Sequence, residues 1–322
     1  MRELPWRSTT NPFHIWLSEV ILQQTRVEQG LPYYEKFINE FSSVKELADA
    51  SLEDIYKLWE GLGYYSRARN LLAAAKQVVN EFNGTFPNNY ENLIKLKGVG
   101  DYTASAIASF CFNEPKPVLD GNVFRLIARI YDVEAPINKA SSRAIFKKIL
   151  EDLIDVNKPA EFNQAIMEFG AIHCTPKNPL CTTCPFQAEC FAFNHNKIDN
   201  LPVKEKAKKS KNRYFNYLVL DDPTFVLVKQ RAQKDIWQNL YEFPLIESKD
   251  VYVNETLPFE TEILKVSQPV KHVLSHQNIF TKFYLVKKIA KPDGYTQVNK
   301  DNLDKLTFPR LINRFLENSS WI

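Results

Sequence analysis

Apolar positions recur at helical spacing through roughly the first two hundred residues and alternate at strand spacing after about residue 214. Phe13, Trp16, Leu17, Val20 and Ile21 mark one face of a helix running from Phe13 to about Gln29. Asn11-Pro12 opens it with a capping side chain and a proline in the first turn. Ser51 with Asp54 forms a capping box, and Gly61 and Gly63 end that helix before Tyr64-Tyr65-Ser66. The next helix carries Arg67, Arg69 and Lys76 and stops near Gly84. The run Thr103–Phe112 is small and apolar, and helices follow over Gly121–Val133, Ser141–Leu153 and Ala160–Ile172. Beyond them, Tyr214–Leu220 and Phe225–Lys229 are β-rich, with Asp221-Asp222-Pro223 as the turn between them. Ile279–Val286 alternates like a strand, and Asp301–Asn318 is mostly helical despite Pro309. An all-helical domain therefore precedes an α+β one.

Within the helical half, Leu93–Arg125 predicts helix, tight hairpin, helix, and a turn that delivers a carboxylate. Gly98 and Gly100 flank Val99, so bare N–H groups stand at the start of the next helix, where its dipole favours an anion. A plain inter-helix turn fits the same residues. Asp120-Gly121-Asn122 reads as a helix N-cap with Asn122 as turn residue. Glu19 is either a solvated glutamate at the edge of an apolar stripe or a carboxyl kept neutral beside it, which suits a general acid. Gln23, Gln24 and Thr25 make a polar step at that helix's far end. Tyr64, Tyr65, Arg67 and Arg69 suit a nucleic-acid face, or a core tyrosine beside a solvated arginine.

Composition adds bounds. With 322 residues there is room for two cores, and 44% hydrophobic and 25% charged residues are ordinary for globular protein. A net charge of +3 permits nucleic-acid binding without demanding it. Apolar runs fall short of a membrane span and Met1–Trp6 has no signal-peptide core, so a cytosolic chain is expected. Cys174, Cys181, Cys184 and Cys190 fall in the spacing C-x6-C-x2-C-x5-C, which argues for a metal centre, either zinc or a four-iron cluster. Cys111 reads as a small buried hydrophobe. Lys204–Arg213 holds six basic residues and one acid, a linker suited to lying along phosphates.

In SEVILQQT (18–25), WEGLGYYSRARN (59–70), LKGVGDYTA (96–104), LDGNVFR (119–125), FNQAIMEFGA (162–171), the cysteine spacing, WQNLYEFP (237–244) and LSH (274–276), the chain closely resembles the adenine DNA glycosylases of the MutY type, within the helix-hairpin-helix glycosylase superfamily. The resemblance implies a glycosylase domain over 1–200 with its hairpin motif at about 93–112 and an iron–sulfur loop at 174–190. A basic linker over 201–213 and a Nudix-like lesion-reading domain over 214–322 follow. It implies flipping and hydrolytic release of adenine opposite 8-oxoguanine or guanine in double-stranded DNA, by a monomer in the cytoplasm near the nucleoid. Glu19 is then the general acid, Asp120 the carboxylate that stabilises or traps the sugar cation, Asn122 an orienting group and Tyr102 a pocket wall. Gln24 and Tyr64 match the wedge residues. Thr25, Arg67, Lys97, Gly98, Val99 and Gly100 stand on the expected DNA face. The cysteines match the ligands of a [4Fe–4S] cluster.

Tyr102 stands where the endonuclease III branch has a nucleophilic lysine, so a monofunctional enzyme is expected over a bifunctional glycosylase/lyase for oxidised pyrimidines. A non-catalytic iron–sulfur protein that marks lesions is the alternative from another class, and the two carboxylates count against it. No glutamate-rich Nudix helix follows Pro244, so the second domain should bind and not catalyse. Ser275 and His276 match the lesion-contacting loop, with Leu274 where relatives carry phenylalanine. Relatives also carry a helix before LPWR, whereas Met1 lies four residues ahead of Pro5. Either the start is truncated or the first domain lacks one packing helix, which would lower its stability.

Overall fold

The computed structural model describes residues 2–206, 210–232, 234–249, 261–287 and 293–322. Lys208 and Lys209, in the expected basic linker, lie outside them. Eleven helices come first: α1 (Pro12–Ile21), α2 (Val27–Glu40), α3 (Val44–Asp49), α4 (Leu52–Trp59), α5 (Ser66–Phe82), α6 (Tyr90–Leu93), α7 (Asp101–Phe112), α8 (Gly121–Tyr131), α9 (Arg143–Leu153), α10 (Pro159–Ile172) and α11 (Phe191–Asn194). None in the described residues is long and apolar enough to cross a membrane.

Local chemistry places the ends of these helices. The Asn11 side chain accepts from the Phe13 N–H, and Ser51 and Asp54 exchange the two bonds of a capping box. α1 nevertheless stops at Ile21, eight residues short of the sequence expectation. Gln24 adopts a left-handed φ of 56°, which breaks the helical path before α2 begins at Val27. Trp16, Leu17 and Ile21 are fully buried, each contributing roughly 2–3 kcal/mol of apolar burial. A second core joins α8 and α9 through Val123, Phe124, Ile127, Phe146 and Leu150, and reaches the cysteine loop at Cys190. Trp6 lies buried edge-on against Tyr34, 5.1 Å between centroids.

The chain divides by contacts into two compact units, Met1–Ala50 with Ser66–Lys206, and Ser51–Tyr65 with Ala207–Ile322. The α4 stretch, expected with the helical half, thus groups with the C-terminal residues. Its side chains explain the grouping: Asn313 Nδ2 donates to Glu60 Oε1 at 2.6 Å, and the Lys57 ammonium donates to the Asp304 carbonyl.

The second unit's strands are β1 (Lys211–Leu220), β2 (Phe225–Gln230), β3 (Tyr241–Glu242), β4 (Leu245–Ser248), β5 (Ile263–Val266), β6 (Val270–Val273), β7 (Gln277–Val286) and β8 (Thr296–Asn299), and helix α12 spans Arg310–Asn318. One sheet runs β4-β1-β7-β5 with β6 also on β7, and the other runs β3-β2-β8. β1 and β7 are parallel and in register from Lys211–Gln277 to Leu220–Val286. The expected β1–β2 turn forms, with Asp222 Oδ1 accepting from the Thr224 and Phe225 N–H groups, but the two strands enter different sheets and do not pair. Strand structure also starts three residues before Tyr214, inside the expected linker. Pro309 sits at the N-cap of α12 and so limits that helix instead of interrupting it. Leu311 and Ile312 join a core with Phe215, Tyr217, Val219 and Phe283, and Phe315 stacks on Phe283 at 3.8 Å.

Candidate active site

A cavity of about 930 Å³ opens in the first unit, lined by Glu19 from α1, Tyr102 from α7, and Asp120 and Asn122 at the start of α8. Each is delivered by a local rule. Glu19 is 7% exposed because its helix buries nearly every neighbour. Burial pushes its carboxyl up to about 7, aided by the charge of Asp120 and opposed by a hydrogen bond from the Tyr102 hydroxyl and by Arg7. Tyr102 follows the hairpin in the first turn of α7, and burial with the adjacent Glu19 raises its phenol well above the ordinary value.

Asp120 is the N-cap of α8, as its sequence context predicts, and the cap itself aims the carboxylate. Oδ1 accepts from the N–H groups of Asn122 (2.8 Å) and Val123 (2.7 Å), and Oδ2 accepts from Asn122 Nδ2 at 2.9 Å. Burial raises this acid, and those three hydrogen bonds oppose the rise. Asn122 Oδ1 in turn accepts from Arg125 Nη2 at 3.0 Å. The same guanidinium donates to the carbonyls of Gly170 (2.5 Å) and Cys174 (2.7 Å). Gly170 allows the close crossing of α8 and α10, since a Cβ there would stand 2.8 Å from the Asn122 Cβ.

Four further charges escaped the sequence reading. Glu168 of α10 is buried, paired with Arg2 and Arg7 at 2.7 Å each, and held well below the carboxylate range by those guanidiniums. Arg2 and Arg7 line the cavity, and Arg125 supports it through its hydrogen bond to Asn122. The available signal was charge inside an apolar run, Glu168 alone in IMEFGAI and Arg125 with Arg129 in VFRLIARI.

The expected wedge residues share a backbone feature. Gln24 and Tyr64 are both exposed, with φ of 56° and 50°, a region costly for non-glycine residues. Arg67, expected on the DNA face, is instead buried. Its Nη1 donates to the carbonyls of Val20 (3.1 Å), Ile21 (2.8 Å) and Gln23 (2.6 Å), and to Thr25 Oγ1 (3.3 Å). The guanidinium therefore caps α1 and holds the Gln24 turn from beneath. Thr25 is half-buried in that contact.

In the hairpin, Lys97, Gly98 and Gly100 are exposed and Val99 is buried as its anchor. Gly98 has φ 74° and lies against Asn70, so it needs to be glycine. Gly100 has φ −98°, open to any residue, and a Cβ there would meet nothing within 4 Å. It caps α7 without a side chain and leaves that helix start bare. In the second unit, Ser275 and His276 are exposed at the β6–β7 turn, and the Tyr64 and Ser275 hydroxyls are hydrogen-bonded. Leu274 packs on that unit's core as an anchor for the turn.

Cys174, Cys181, Cys184 and Cys190 are all free thiols and line one small cavity with Arg129 and His173. Burial pushes the Cys181 and Cys184 thiols up, as do the neighbouring cysteines. Arg129 donates to Cys174 Sγ at 3.4 Å and to the Thr175 carbonyl at 2.8 Å. Among the described residues no three His, Cys, Asp or Glu side chains close on a single-ion site. The four thiols line one cavity, and four thiolates are a donor set that either a single zinc ion or a four-iron cluster accepts.

The sequence matches the HhH-GPD superfamily of base excision DNA repair proteins over residues 17–167 and a NUDIX domain over residues 216–318. An adenine DNA glycosylase of Buchnera aphidicola subsp. Baizongia pistaciae is 36% identical over 283 residues, 87% of this chain and 80% of the relative. Another, from Buchnera aphidicola subsp. Acyrthosiphon pisum, is 30% identical over 326 residues, 98% of this chain and 93% of the relative. A solved thermostable thymine-DNA glycosylase aligns with a TM-score of 0.56 at 28% identity, over 60% of this chain and 89% of its own. With the Glu19–Tyr102–Asp120 cavity, the hairpin and the four-cysteine loop in one helical unit, the chain belongs to the adenine DNA glycosylase family.

Proposed function

We propose that the chain is a monofunctional base-excision enzyme that hydrolyses the N-glycosidic bond of adenine paired with 8-oxoguanine or guanine in double-stranded DNA. The observation that carries the reading is one buried carboxyl at about 7 facing a second, N-capping carboxylate across one cavity. Adenine leaves only when a ring nitrogen takes a proton, and a neutral Glu19 supplies it. As the bond breaks the sugar gains oxocarbenium character, and Asp120, whose three hydrogen bonds favour its carboxylate against the rise from burial, stabilises or traps that cation. Asn122 fixes the orientation of Asp120, and the Tyr102 hydroxyl holds Glu19. Tyr102 offers a phenol and no amine, so no imine to the sugar forms and the strand stays intact.

The base must be flipped to reach this cavity, at a cost of a few kcal/mol. Gln24 and Tyr64, on their left-handed backbones, suit insertion into the stack. The bare N–H groups at Gly100 suit a phosphate, Lys97 adds charge beside them, and Ser275 and His276 suit contact with the opposite base. The four cysteines would hold a [4Fe–4S] cluster, and their ligation would tie down the loop after α10. Arg125 ties that loop's Cys174 carbonyl to Asn122, so a folded loop is a condition for an aimed Asp120.

The test is a single-turnover assay on duplexes with adenine opposite 8-oxoguanine or guanine, with breaks scored before and after alkali. Adenine release with breaks only after alkali is expected. Asp120→Asn should lose release by about 10²-fold or more and keep duplex binding. Breaks before alkali would refute the monofunctional reading, and full activity in Asp120→Asn would refute the role of Asp120.

A further inference from the structure

His173 closes α10 one residue before Cys174. Its N–H donates to the Phe169 carbonyl at 3.0 Å, and its own carbonyl accepts from the Leu180 N–H at 3.1 Å, so its backbone is pinned on both sides. The imidazole stacks on the Phe169 ring at 4.7 Å and 19°, which sets the plane of its two nitrogens. The residue lines the four-cysteine cavity, and its Nε2 is buried with no hydrogen-bond partner among the described residues. A buried polar nitrogen left unpaired costs about 1–3 kcal/mol. An apolar residue would pack on Phe169 equally well without that cost. A sulfur acceptor in the cavity removes the penalty.

We propose that His173 donates its Nε2–H to a sulfur of the iron–sulfur group that the four cysteines hold, and so raises that group's reduction potential. The inference rests on the cluster reading above. A hydrogen bond to sulfur favours the more electron-rich, reduced state, because that state carries more negative charge on its sulfurs. His173 is thus a positioning residue for the cofactor, with no part in touching DNA or base. Arg129 supplies the other donor, on Cys174 Sγ, so the cavity would have one donor from α8 and one from the end of α10.

The experiment uses the full chain purified with its cluster. Iron and sulfide content and the visible charge-transfer band come first. A chain without either overturns the cluster reading itself. With the cluster present, pulsed electron paramagnetic resonance on ¹⁵N-histidine protein, after one-electron oxidation by ferricyanide, should show a weak nitrogen coupling. Voltammetry should find a more negative potential in His173→Phe, which keeps the ring stack, and return toward the native value in His173→Gln, which restores an N–H donor. A loaded cluster with neither the nitrogen coupling nor a potential difference between native protein and His173→Phe would overturn the assignment. The spectroscopic arm needs no variant, so a misfolded substitution cannot hide the answer.

Discussion

Replacing Glu19 by Gln tests the protonation of the catalytic acid by stability as well as by rate. The carboxyl's ordinary value is 4.5 and the fold raises it to about 7, with burial as the leading cause. A raised acid stabilises the folded state most when protonated, so its contribution is complete below about pH 4.5 and is lost as pH rises through about 7. At 1.36 kcal/mol per pH unit, ionised Glu19 costs the fold roughly 3 kcal/mol at pH 8.5 and under about 1 kcal/mol at pH 5. Gln keeps the shape and an acceptor for the Tyr102 hydroxyl but never ionises. Equilibrium urea unfolding should therefore show Glu19→Gln gaining about 2.5 kcal/mol more, relative to wild type, at pH 8.5 than at pH 5. Base release by wild type should fall about tenfold per pH unit above about 7, while Glu19→Gln should be inactive throughout. An equal stability difference at both pH values would refute the buried, neutral acid.

Arg67→Met leaves the carbonyls of Val20, Ile21 and Gln23 without their buried donor, and a loss of about 2–4 kcal/mol is expected by urea unfolding. The same variant should slow base flipping, read by 2-aminopurine fluorescence, and unchanged flipping would return Arg67 to a purely structural role. Gly98→Ala forces a side chain onto φ 74° with its Cβ 2.6 Å from that of Asn70, costing about 1–3 kcal/mol. If the hairpin engages a phosphate, duplex affinity in Gly98→Ala should also fall and its salt dependence flatten by roughly one phosphate.

The chain by itself determined whatever depends on neighbours a few residues apart. Asn11-Pro12, the Ser51–Asp54 box and Asp120 at the head of α8 are caps whose partners lie within three residues. The cysteine spacing and the strand pattern of Ile279–Val286 were legible for the same reason. Tertiary structure decided what depends on desolvation and on partners far along the chain. Periodicity alone favoured a solvated reading of Glu19. Only the packing of α1 against the rest of its unit buries it and brings Asp120 and Tyr102 alongside. Arg67 looked like a surface cation because the carbonyls that bind it lie more than forty residues away. The Arg2–Glu168 and Arg7–Glu168 pairs span more than 160 residues, and no local pattern encodes them. The same holds for β1 and β2, whose turn is local but whose sheet partners are not. Caps and turns are short-range hydrogen bonds. The protonation of a buried acid is set by everything that excludes water from it.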